Sequence, residues 1–386
     1  MAVDIQKVKK VLGKDKQFIH GDTALCYGAL LAGCNFYGGY PITPASEVFE
    51  MMSQLMPRLG AVCIQMEDEI ASIASIIGAS WAGAKAFTAT SGPGYSLMQE
   101  NIGYAYMTET PIVIANVQRS GPSTGQPTLG AQGDMMQARY GSHGDYESIA
   151  LSPNTIQETM EFTIKAFNLS EEYRTPVSIM INGDIGHMRE MVTIPDEVEL
   201  FERKRPNVPP QEHIPFGPGL YGKKKVPEFG VFGTGYHTYV TGLTHNEKGF
   251  PATDDPEAHD SLVRRLSEKI TDDREKLTDY EEREMEDADV ALLSYGMASR
   301  SALGALNMAR EDGNKVGYFR LKTVWPFPEK TIEELSQRVK KIVVVEMNLG
   351  QIYHKVKEFA DCEVVLSSKI GGEPHSPKDI LQEVKL

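Results

Sequence analysis

The segment "QMEDEIASIASIIGASWAGA", residues 65–84, places three consecutive carboxylates before a run of small and apolar residues. Glu67, Asp68 and Glu69 could mark the start of a helix, where negative charge is favourable. They could also bind a metal, or one of them could enter the interior and move protons. A metal site is disfavoured because consecutive helical positions point about 100° apart and do not converge on one ion.

Helical spacing separates these carboxylates if residues 68–80 form a helix. Glu69 shares a face with a large apolar stripe, which predicts that it points inward. The stripe consists of Ser72, Ile73, Ile76 and Ile77. Asp68 leads a partly polar face and is the natural capping residue. Glu67 is intermediate between a solvent-facing and an inward-facing position. An inward carboxyl would have a raised pKa, as proton transfer near neutrality requires; a charge at the helix N-terminus is the alternative role for Glu69.

A second candidate is Arg119 in the turn "QRSGPSTGQPT", residues 118–128, which follows an apolar strand-like run. The ends of strands in open α/β sheets form binding crevices. The planar guanidinium of arginine binds a carboxylate through two hydrogen bonds. A structural ion pair explains Arg119 equally well.

A third candidate is Thr43 in "GGYPITPASE", residues 38–47. Pro41 and Pro44 restrict the backbone on both sides of Thr43, which would preorganise its hydroxyl for a ligand. The same letters also predict a helix start, with Thr43 as the cap and Pro44 as the first helical residue. Both interpretations can hold together.

Two other sequence features do not indicate a functional site. "GPGLYG", residues 217–222, matches the dinucleotide pattern G-x-G-x-x-G, but no strand precedes it, so we reject that function. The cysteines form no Cys-x-x-Cys pair and no cluster spacing, which predicts buried free thiols and places any iron–sulfur cluster on another chain. They are Cys26, Cys34, Cys63 and Cys362.

Length, composition and charge limit the number of domains and the kinds of partner that this protein could bind. A chain of 386 residues predicts two or three domains. The net charge of −14 argues against nucleic acid or an anionic membrane as a partner, since both need basic patches. No apolar run approaches the roughly 18 residues of a membrane span, and the first 18 residues lack the apolar core of a signal peptide. We therefore expect a cytoplasmic protein.

Three regions emerge from the pattern of elements. Residues 1–195 alternate strands and helices, as in an α/β domain with a mostly parallel sheet. We predict strands at 84–90, 110–118 and 175–181, and helices at 22–33 and 152–173, the latter opened by Ser152 and Pro153. Residues 196–287 read as an extended, proline-rich connection and loop segment that ends in a solvated helix over "DDREKLTDYEEREMED". Residues 288–386 read as a smaller α/β domain with four strands, and helices near 299–313, 329–338 and 350–360.

Several motifs together resemble the α subunits of the 2-oxoacid:ferredoxin oxidoreductases, and most closely those of the 2-oxoglutarate enzymes (2-oxoglutarate synthases). They are "GYPITP", "MEDEIASIASIIGAS", "TATSGPGYSLM", "QRSGPSTGQPT" and "RYGSHGDYE", followed by "LSYGMASRSA", "LKTVWPFPE" and "VVEMNLGQ". The resemblance covers nearly the whole chain. It implies a pyrimidine-type parallel-sheet domain of a thiamine diphosphate enzyme over 1–195, and a transketolase C-terminal-like domain over 288–386.

The resemblance also implies a reaction and partners. The reaction is the thiamine-diphosphate-dependent oxidative decarboxylation of 2-oxoglutarate with coenzyme A to succinyl-CoA and CO₂, with electrons passed to ferredoxin, or its reverse. A β subunit would supply the diphosphate and Mg²⁺ site and a [4Fe-4S] cluster, and γ and δ subunits remain open. This chain lacks the Gly-Asp-Gly element that binds Mg²⁺–diphosphate, and its cysteines have no cluster spacing. We therefore expect it to bind neither Mg²⁺ nor a [4Fe-4S] cluster by itself. A branched-chain, aryl or pyruvate enzyme is the alternative, and a non-catalytic docking scaffold is another.

Site residues follow from the same resemblance. The glutamate that hydrogen-bonds the pyrimidine ring of thiamine diphosphate and promotes loss of its C2 proton falls on Glu69, with Ile42 also on the cofactor side. The ligands of the substrate carboxylate fall on Thr43 and Arg119, and Thr128 falls on a further position near the substrate. No residue of this chain is predicted to ligate a metal.

Overall fold

The structure is a computed structural model that describes residues 5–217 and 225–385. Most of the "GPGLYG" motif therefore lies outside the described residues. The strands of the N-terminal half are β1 (Lys16–His20), β2 (Phe36–Gly39), β3 (Val62–Gln65), β4 (Ala86–Thr90), β5 (Ile112–Ser120), β6 (Gln126–Gly130), β7 (Ile149–Leu151), β8 (Pro176–Asn182) and β9 (Arg189–Thr193). The strands of the C-terminal part are β10 (Tyr280–Arg283), β11 (Val290–Tyr295), β12 (Val316–Leu321), β13 (Thr323–Trp325), β14 (Lys341–Glu346) and β15 (Glu363–Ser368).

The helices surround these strands. In the N-terminal half they are α1 (Ile5–Leu12), α2 (Gly21–Leu31), α3 (Ser46–Leu59), α4 (Glu69–Trp81), α5 (Gly92–Met107), α6 (Met135–Tyr140), α7 (Ile156–Tyr173) and α8 (Gly183–His187). Further along the chain they are α9 (Pro256–Thr271), α10 (Arg274–Leu277), α11 (Ala298–Glu311), α12 (Glu329–Arg338), α13 (Gln351–Phe359) and α14 (Pro377–Leu381), with one 3₁₀ turn at Pro210–Glu212. In the described residues, no helix has both the length and the apolar character that crossing a bilayer requires.

The larger sheet has eight strands in the order β13-β7-β8-β5-β4-β2-β3, with β6 paired to β5. Its strands run parallel except for β13 and β6. Because the strands are parallel, β2, β3, β4 and β5 end at the same edge of the sheet. All nine residues of β5 are buried, as expected for a central strand covered on both faces.

The core lies on both faces of this sheet. One face is covered by α2, α3 and α7, and every residue of α2 is buried. The other face is covered by α4 and α5 and continues without a break into the smaller sheet, so that Tyr295 and Trp325 belong to the same cluster as Ile73 and Ile76. The two sheets therefore share one apolar core.

The smaller sheet has five strands in the order β10-β12-β11-β14-β15, parallel except for β10. The four strands and three helices predicted for this region are confirmed. The short strand β13 leaves this part of the chain and pairs with β7 at the edge of the larger sheet. The division of the chain at 195 and 287 stays a prediction.

The predicted start of one helix is wrong. Helix α7 begins at Ile156 rather than at Ser152, because Thr155 is its cap and accepts a hydrogen bond from the amide of Glu158. Ser152 instead follows the last residue of β7, and its hydroxyl donates to the carbonyl oxygen of Met180. The remaining strands and helices predicted in residues 1–195 are confirmed to within a few residues at each end.

The solvated helix predicted over residues 272–287 is also wrong. That run forms only the short α10 and the strand β10, whose acidic residues pair with two arginines: Arg320 of β12 donates to Glu281, and Arg338 at the end of α12 donates to Glu282. Charge composition alone does not distinguish a solvated helix from an edge strand whose charges are neutralised by partners distant in sequence. The long helix of this region is α9, which precedes the charged run.

A buried ion cluster attaches α9 to the larger sheet. The carboxylate of Glu109, which is fully buried, accepts two hydrogen bonds from Arg265 at 2.8 and 2.6 Å and one from Lys269 at 3.1 Å. Arg174 donates to the backbone oxygen of Glu109 at 3.2 Å. One buried carboxylate therefore neutralises part of the charge of three buried cations.

Candidate active site

Glu69 is the first residue of α4 and is only 4% exposed. Its neighbour Asp68 is the helix cap and accepts a hydrogen bond from the amide of Ala71 at 2.7 Å, while Glu67 is exposed. The buried face of α4 contains the stripe predicted from the sequence. The predicted orientations of Asp68 and Glu69 are therefore confirmed, whereas the catalytic role of Glu69 stays a prediction.

The surroundings of Glu69 make its carboxyl hard to ionise. Burial raises its pKa above the ordinary value, and the negative charge of Asp68 raises it further, while a backbone amide and the Arg119 guanidinium act in the opposite direction. A carboxyl with a raised pKa is suited to giving and taking a proton near neutral pH.

The "TSGPG" turn after β4 explains how helix α5 comes so close to Glu69. A Cβ atom added at Gly94 would lie 2.3 Å from Oε1 of Glu69 and 2.1 Å from the hydroxyl oxygen of Thr90. Any side chain at this position would therefore displace the carboxyl. Gly94 leaves room for Glu69 to lie against the first turn of α5, inside the crevice at the edge of the sheet.

Arg119 lies near the end of β5 and is 7% exposed. Its Nη1 donates to the backbone oxygen of Thr43 at 2.7 Å, and its Nε has no hydrogen-bond partner among the described residues. The structure thus brings Arg119 and Thr43 together from positions 76 residues apart. The predicted turn at 118–128 is shorter than expected, because β5 extends to Ser120 and the chain returns at Gln126 as β6.

Thr43 does not cap a helix, which corrects one of its two predicted roles. Helix α3 begins at Ser46 with Ala45 as its cap residue. The amide of Ala45 donates to the backbone oxygen of Ile42 at 2.7 Å, so residues 42–45 form a turn that ends before the helix begins. The hydroxyl of Thr43 therefore remains a candidate ligand for a substrate.

The other two predicted residues lie in different surroundings. Ile42 is partly buried and packs against the core beneath α2 and α3. Thr128 lies in the middle of β6 with an exposed side chain, on the hairpin that folds back from β5. The structure therefore groups Glu69, Arg119, Thr43 and Ile42 at one edge of the sheet, and leaves Thr128 outside the buried part.

Three further residues at this edge were not predicted from the sequence. The amide nitrogen of Asn116 donates to the Asp134 carboxylate at 3.0 Å, and the Asp134 amide donates to the side-chain oxygen of Gln118 at 3.3 Å. Burial raises the pKa of Asp134, and Asn116 and Arg119 oppose that shift. Polar residues at alternate positions 116 and 118 of an otherwise apolar strand were the signal that could have revealed them.

Several buried polar atoms around this edge lack a hydrogen-bond partner in the described part of the chain. They are Oγ of Ser91, Oδ1 of Asn116, Nε2 of Gln118 and Nε of Arg119. Buried polar groups are nearly always hydrogen-bonded in native proteins, and unpaired ones at a strand edge point to a ligand. The edge is therefore equipped to bind a polar group.

The smaller sheet supports the segment that carries Asp134. The side chain of Gln132 donates to the backbone oxygen of Tyr295 at 2.8 Å, and the Met347 amide donates to Gln132 at 2.9 Å. Asn348 donates to the backbone oxygen of Gln132 at 2.7 Å and to the buried carboxylate of Glu346 at 2.9 Å. The position of Asp134 beside β5 thus depends on both sheets.

A cleft of about 750 Å³ opens between the two sheets, next to this edge. Its lining includes Ser120 at the end of β5 and Asp134 before α6, and Asn348, Gln351 and Lys369 from the segments that follow β14 and β15. Its volume is in the range of small-molecule and cofactor sites. A buried carboxyl with a raised pKa, a buried arginine and a neighbouring cleft of this size fit a reaction on a small carboxylate.

The fold is that of the α/β thiamine diphosphate enzymes. A split-gene transketolase (inactive β4 tetramer) superposes with a TM-score of 0.54 at 13% identity over 95% of this chain and 97% of that chain. The family described as "Pyruvate flavodoxin/ferredoxin oxidoreductase, thiamine diP-bdg" matches residues 27–265, and "Pyruvate:ferredoxin oxidoreductase core domain II" matches residues 288–380. The chain therefore belongs to the family of 2-oxoacid:ferredoxin oxidoreductases.

Within this family, the chain is similar to 2-oxoglutarate synthase subunit KorA. Identity is 53% with KorA of Methanothermobacter thermautotrophicus, over 96% of this chain and 98% of the relative. It is 51% with KorA of Methanocaldococcus jannaschii, over 95% and 99% of the two chains. It falls to 36% with ketoisovalerate oxidoreductase subunit VorB of Methanothermobacter marburgensis, over 96% and 97%.

One solved structure shows the same fold closely. The 2-oxoglutarate:ferredoxin oxidoreductase of Magnetococcus marinus, solved with 2-oxoglutarate, coenzyme A and succinyl-CoA bound, matches with a TM-score of 0.89 and 32% identity. The match covers 96% of this chain and 65% of that one, so the solved chain contains a substantial part with no counterpart here.

Proposed function

We propose that this chain is the α subunit of a thiamine-diphosphate-dependent 2-oxoglutarate:ferredoxin oxidoreductase. The enzyme converts 2-oxoglutarate and coenzyme A to succinyl-CoA and CO₂ and reduces ferredoxin, or runs in reverse. The observation that carries the proposal is the buried Glu69, which meets Gly94 at the sheet edge that also holds Arg119. The higher identity to KorA than to VorB supports 2-oxoglutarate as the substrate.

The residues at this edge fit the pyrimidine side of thiamine diphosphate. Gly94 lets the Glu69 carboxyl lie against the first turn of α5, where an added Cβ would collide with it, and unpaired buried groups of Gln118 and Asn116 lie at the same edge. Thiamine diphosphate, when bound, supplies the nucleophilic carbon for decarboxylation of a 2-oxoacid. Glu69 and Ile42 are the residues of this chain that we assign to holding it.

We assign proton handling to Glu69. Its carboxyl is nearly excluded from water and carries a raised pKa. A protonated carboxyl at this position can donate a hydrogen bond to a ring nitrogen and exchange that proton during turnover. The apolar stripe of α4 behind Glu69 keeps competing water away.

We assign the carboxylate of the substrate to Arg119 and Thr43. The Nε of Arg119 is free to donate, while Nη1 is held by the backbone of Thr43, so the guanidinium is preorganised. A charged donor fixed in this way binds a carboxylate with little loss of conformational entropy. Thr128, exposed on β6, is proposed only as a more distant contact with the substrate.

A partner subunit completes the site in this proposal. Large apolar side chains are exposed around β3 and the starts of α4 and α5: Tyr40, Val62, Ile64, Ile70 and Leu97. An exposed apolar group of this size at an unpaired strand edge suits a protein interface. We assign this surface to a β subunit that holds the diphosphate, Mg²⁺ and a [4Fe-4S] cluster, with γ and δ subunits as further members of the complex.

An assay of substrate preference tests this function. We expect the purified complex to reduce ferredoxin or a viologen dye with 2-oxoglutarate, and only when coenzyme A is present. The kcat/KM for 2-oxoglutarate should exceed that for 2-oxoisovalerate and pyruvate by at least about tenfold, because a site that binds a second carboxylate discriminates strongly against its absence. A preference for 2-oxoisovalerate would instead support the branched-chain alternative.

The non-catalytic scaffold makes an opposite prediction in the same assay. Under that alternative, replacing Glu69, Arg119 and Thr43 would leave the turnover of the complex unchanged. A loss of turnover in any of these variants, with the complex still assembled, excludes it.

A further inference from the structure

A group of side chains that could bind a metal lies next to the Thr43–Pro44 turn. Asp22, Glu47 and His187 each offer one ligand atom, and these atoms all lie within 4.8 Å of one another. They come from three elements: Asp22 from the first turn of α2, Glu47 from the first turn of α3, and His187 from the end of α8.

Asp22 is the unusual member of the group. It is fully buried, and neither of its carboxylate oxygens has a hydrogen-bond partner among the described residues. An unpaired carboxyl in the interior is strongly unfavourable in either protonation state. Burial raises the pKa of Asp22 well above its ordinary value, and the carboxylate of Glu47 adds to the shift. A bound cation would supply the partner that both oxygens lack.

The distances suit a metal ion. Two ligand atoms on opposite sides of an ion, each at about 2.1 Å, are about 4.2 Å apart, so the group needs only a small contraction. Nε2 of His187 lies 3.7 Å from Oε2 of Glu47 and 3.2 Å from the backbone oxygen of Pro44. In the metal-free chain the 3.2 Å contact is a hydrogen bond that Nε2–H of His187 donates to the Pro44 oxygen. Binding of an ion through Nε2 would release this proton. Because neighbouring ligands around such an ion are about 3 Å apart, the Pro44 oxygen would then lie at the distance of a further ligand.

Close packing between α2 and α8 encloses this group of side chains on the side of α8. A Cβ atom added at Gly186 would lie 2.9 Å from Oδ1 of Asp22, and one added at Gly21 would lie 2.2 Å from the backbone oxygen of Ile185. Glycine at both positions lets α2 and α8 approach until Asp22 reaches His187. This close approach has no use in the proposed reaction.

We propose that Asp22, Glu47 and His187, with the backbone oxygen of Pro44, bind one divalent transition-metal ion of the Zn²⁺ or Mn²⁺ class. Two carboxylates and one imidazole favour these ions over Ca²⁺ and Mg²⁺, which take oxygen ligands. The ion would fix the Thr43–Pro44 turn through Pro44, next to the carbonyl of Thr43 that Arg119 holds. It is separate from the Mg²⁺ that we assign to the partner subunit, and the proposal does not depend on the proposed function.

Metal titration of the full chain tests this proposal. After removal of metals with a chelator, we expect one Zn²⁺ per chain to bind in calorimetry, Mn²⁺ to bind more weakly, and Ca²⁺ to bind at least about 100-fold more weakly. Saturating Zn²⁺ should raise the melting temperature by a few degrees, because it binds only the folded state. Both readouts are independent of catalysis.

Variants assign the binding to this group. Asp22→Asn and His187→Gln should each weaken Zn²⁺ binding at least about tenfold and abolish the rise in melting temperature. Glu50→Gln, an exposed carboxylate on the same helix as Glu47, is the matched control and should leave both unchanged. If Asp22→Asn fails to fold, the partly exposed Glu47→Gln and His187→Gln carry the test. Absence of stoichiometric binding, equal affinity for Ca²⁺, or unchanged Zn²⁺ affinity in these variants would overturn the proposal.

Discussion

Replacing Glu69 with glutamine is expected to lower the turnover of the complex about 10²–10⁴-fold, the range for removal of general acid–base assistance. Glutamine keeps the shape of the side chain and still fits against Gly94, but it does not exchange a proton. Burial of Glu69 and its raised pKa support this effect. The measurement is kcat with 2-oxoglutarate and a viologen acceptor in the assembled complex.

The matched control is Glu67→Gln, two residues earlier in the same acidic run. Glu67 is exposed, so we expect its loss to change turnover less than about twofold, in line with surface substitutions. Melting temperatures of both variants should stay close to that of the wild type. A reduction of less than about threefold in Glu69→Gln would show that this carboxyl does not move the proton.

Replacing Glu109 with glutamine is expected to lower the free energy of unfolding by about 3–5 kcal/mol, since removal of one partner leaves uncompensated buried charge. Arg265 and Lys269 would lose their carboxylate, and α9 would lose its main polar attachment to the larger sheet. Chemical denaturation measures the effect. The control is Asp260→Asn on the same helix, whose exposed pair with Arg264 should matter little.

The same cluster predicts how stability depends on pH. Burial alone would raise the pKa of Glu109, but Arg265, Lys269 and Arg174 together hold it well below the ordinary value. A carboxylate with a lowered pKa in the folded state stabilises the protein above the pKa of the unfolded chain, near 4.5, and loses that contribution as the pH falls further. Wild-type stability should therefore fall in acid more steeply than that of Glu109→Gln.

Lys269 also makes stability rise with pH, but in a window above neutral pH. Burial lowers its pKa to about 8, against the opposing effect of Glu109. Between that value and the ordinary pKa of 10.5, the unfolded chain binds more protons, so this group makes stability rise with pH in that window.

Local periodicity was enough to predict the main catalytic candidate. The inward orientation of Glu69 follows from spacings of three and four residues along α4, which depend only on the geometry of one helix. Strands β4, β5 and β8 of the larger sheet and β11, β12, β14 and β15 of the smaller one were also predictable locally, because each is a short apolar run between turn residues. The orientation of one helix and the position of one strand each depend on only about ten consecutive residues.

Contacts between distant segments were not predictable. The hydrogen bond from Arg119 to Thr43 joins residues 76 positions apart, and the group of Asp22, Glu47 and His187 spans three helices. Asp134 approaches Asn116 because Gln132 is held by the smaller sheet. A single sequence contains no local pattern that specifies such pairings.

The errors have the same origin. Thr43 followed by Pro44 has the composition of a helix start, but the turn closed by Ile42 and Ala45 ends before the helix. The charged run at 272–287 has the composition of a solvated helix, yet pairing with β12 makes part of it an edge strand, and Arg320 and Arg338 neutralise its carboxylates. Tertiary partners decided between local alternatives in both cases.

The central claim is that this chain contributes the activating carboxyl of a thiamine diphosphate site, while a partner contributes the diphosphate half. The most direct measurement is cofactor binding and viologen reduction with 2-oxoglutarate and coenzyme A, by the chain alone and after addition of the β subunit. We predict weak cofactor binding and no activity for the chain alone, and tight binding with full activity for the complex. Tight binding and turnover by the chain alone would contradict the claim.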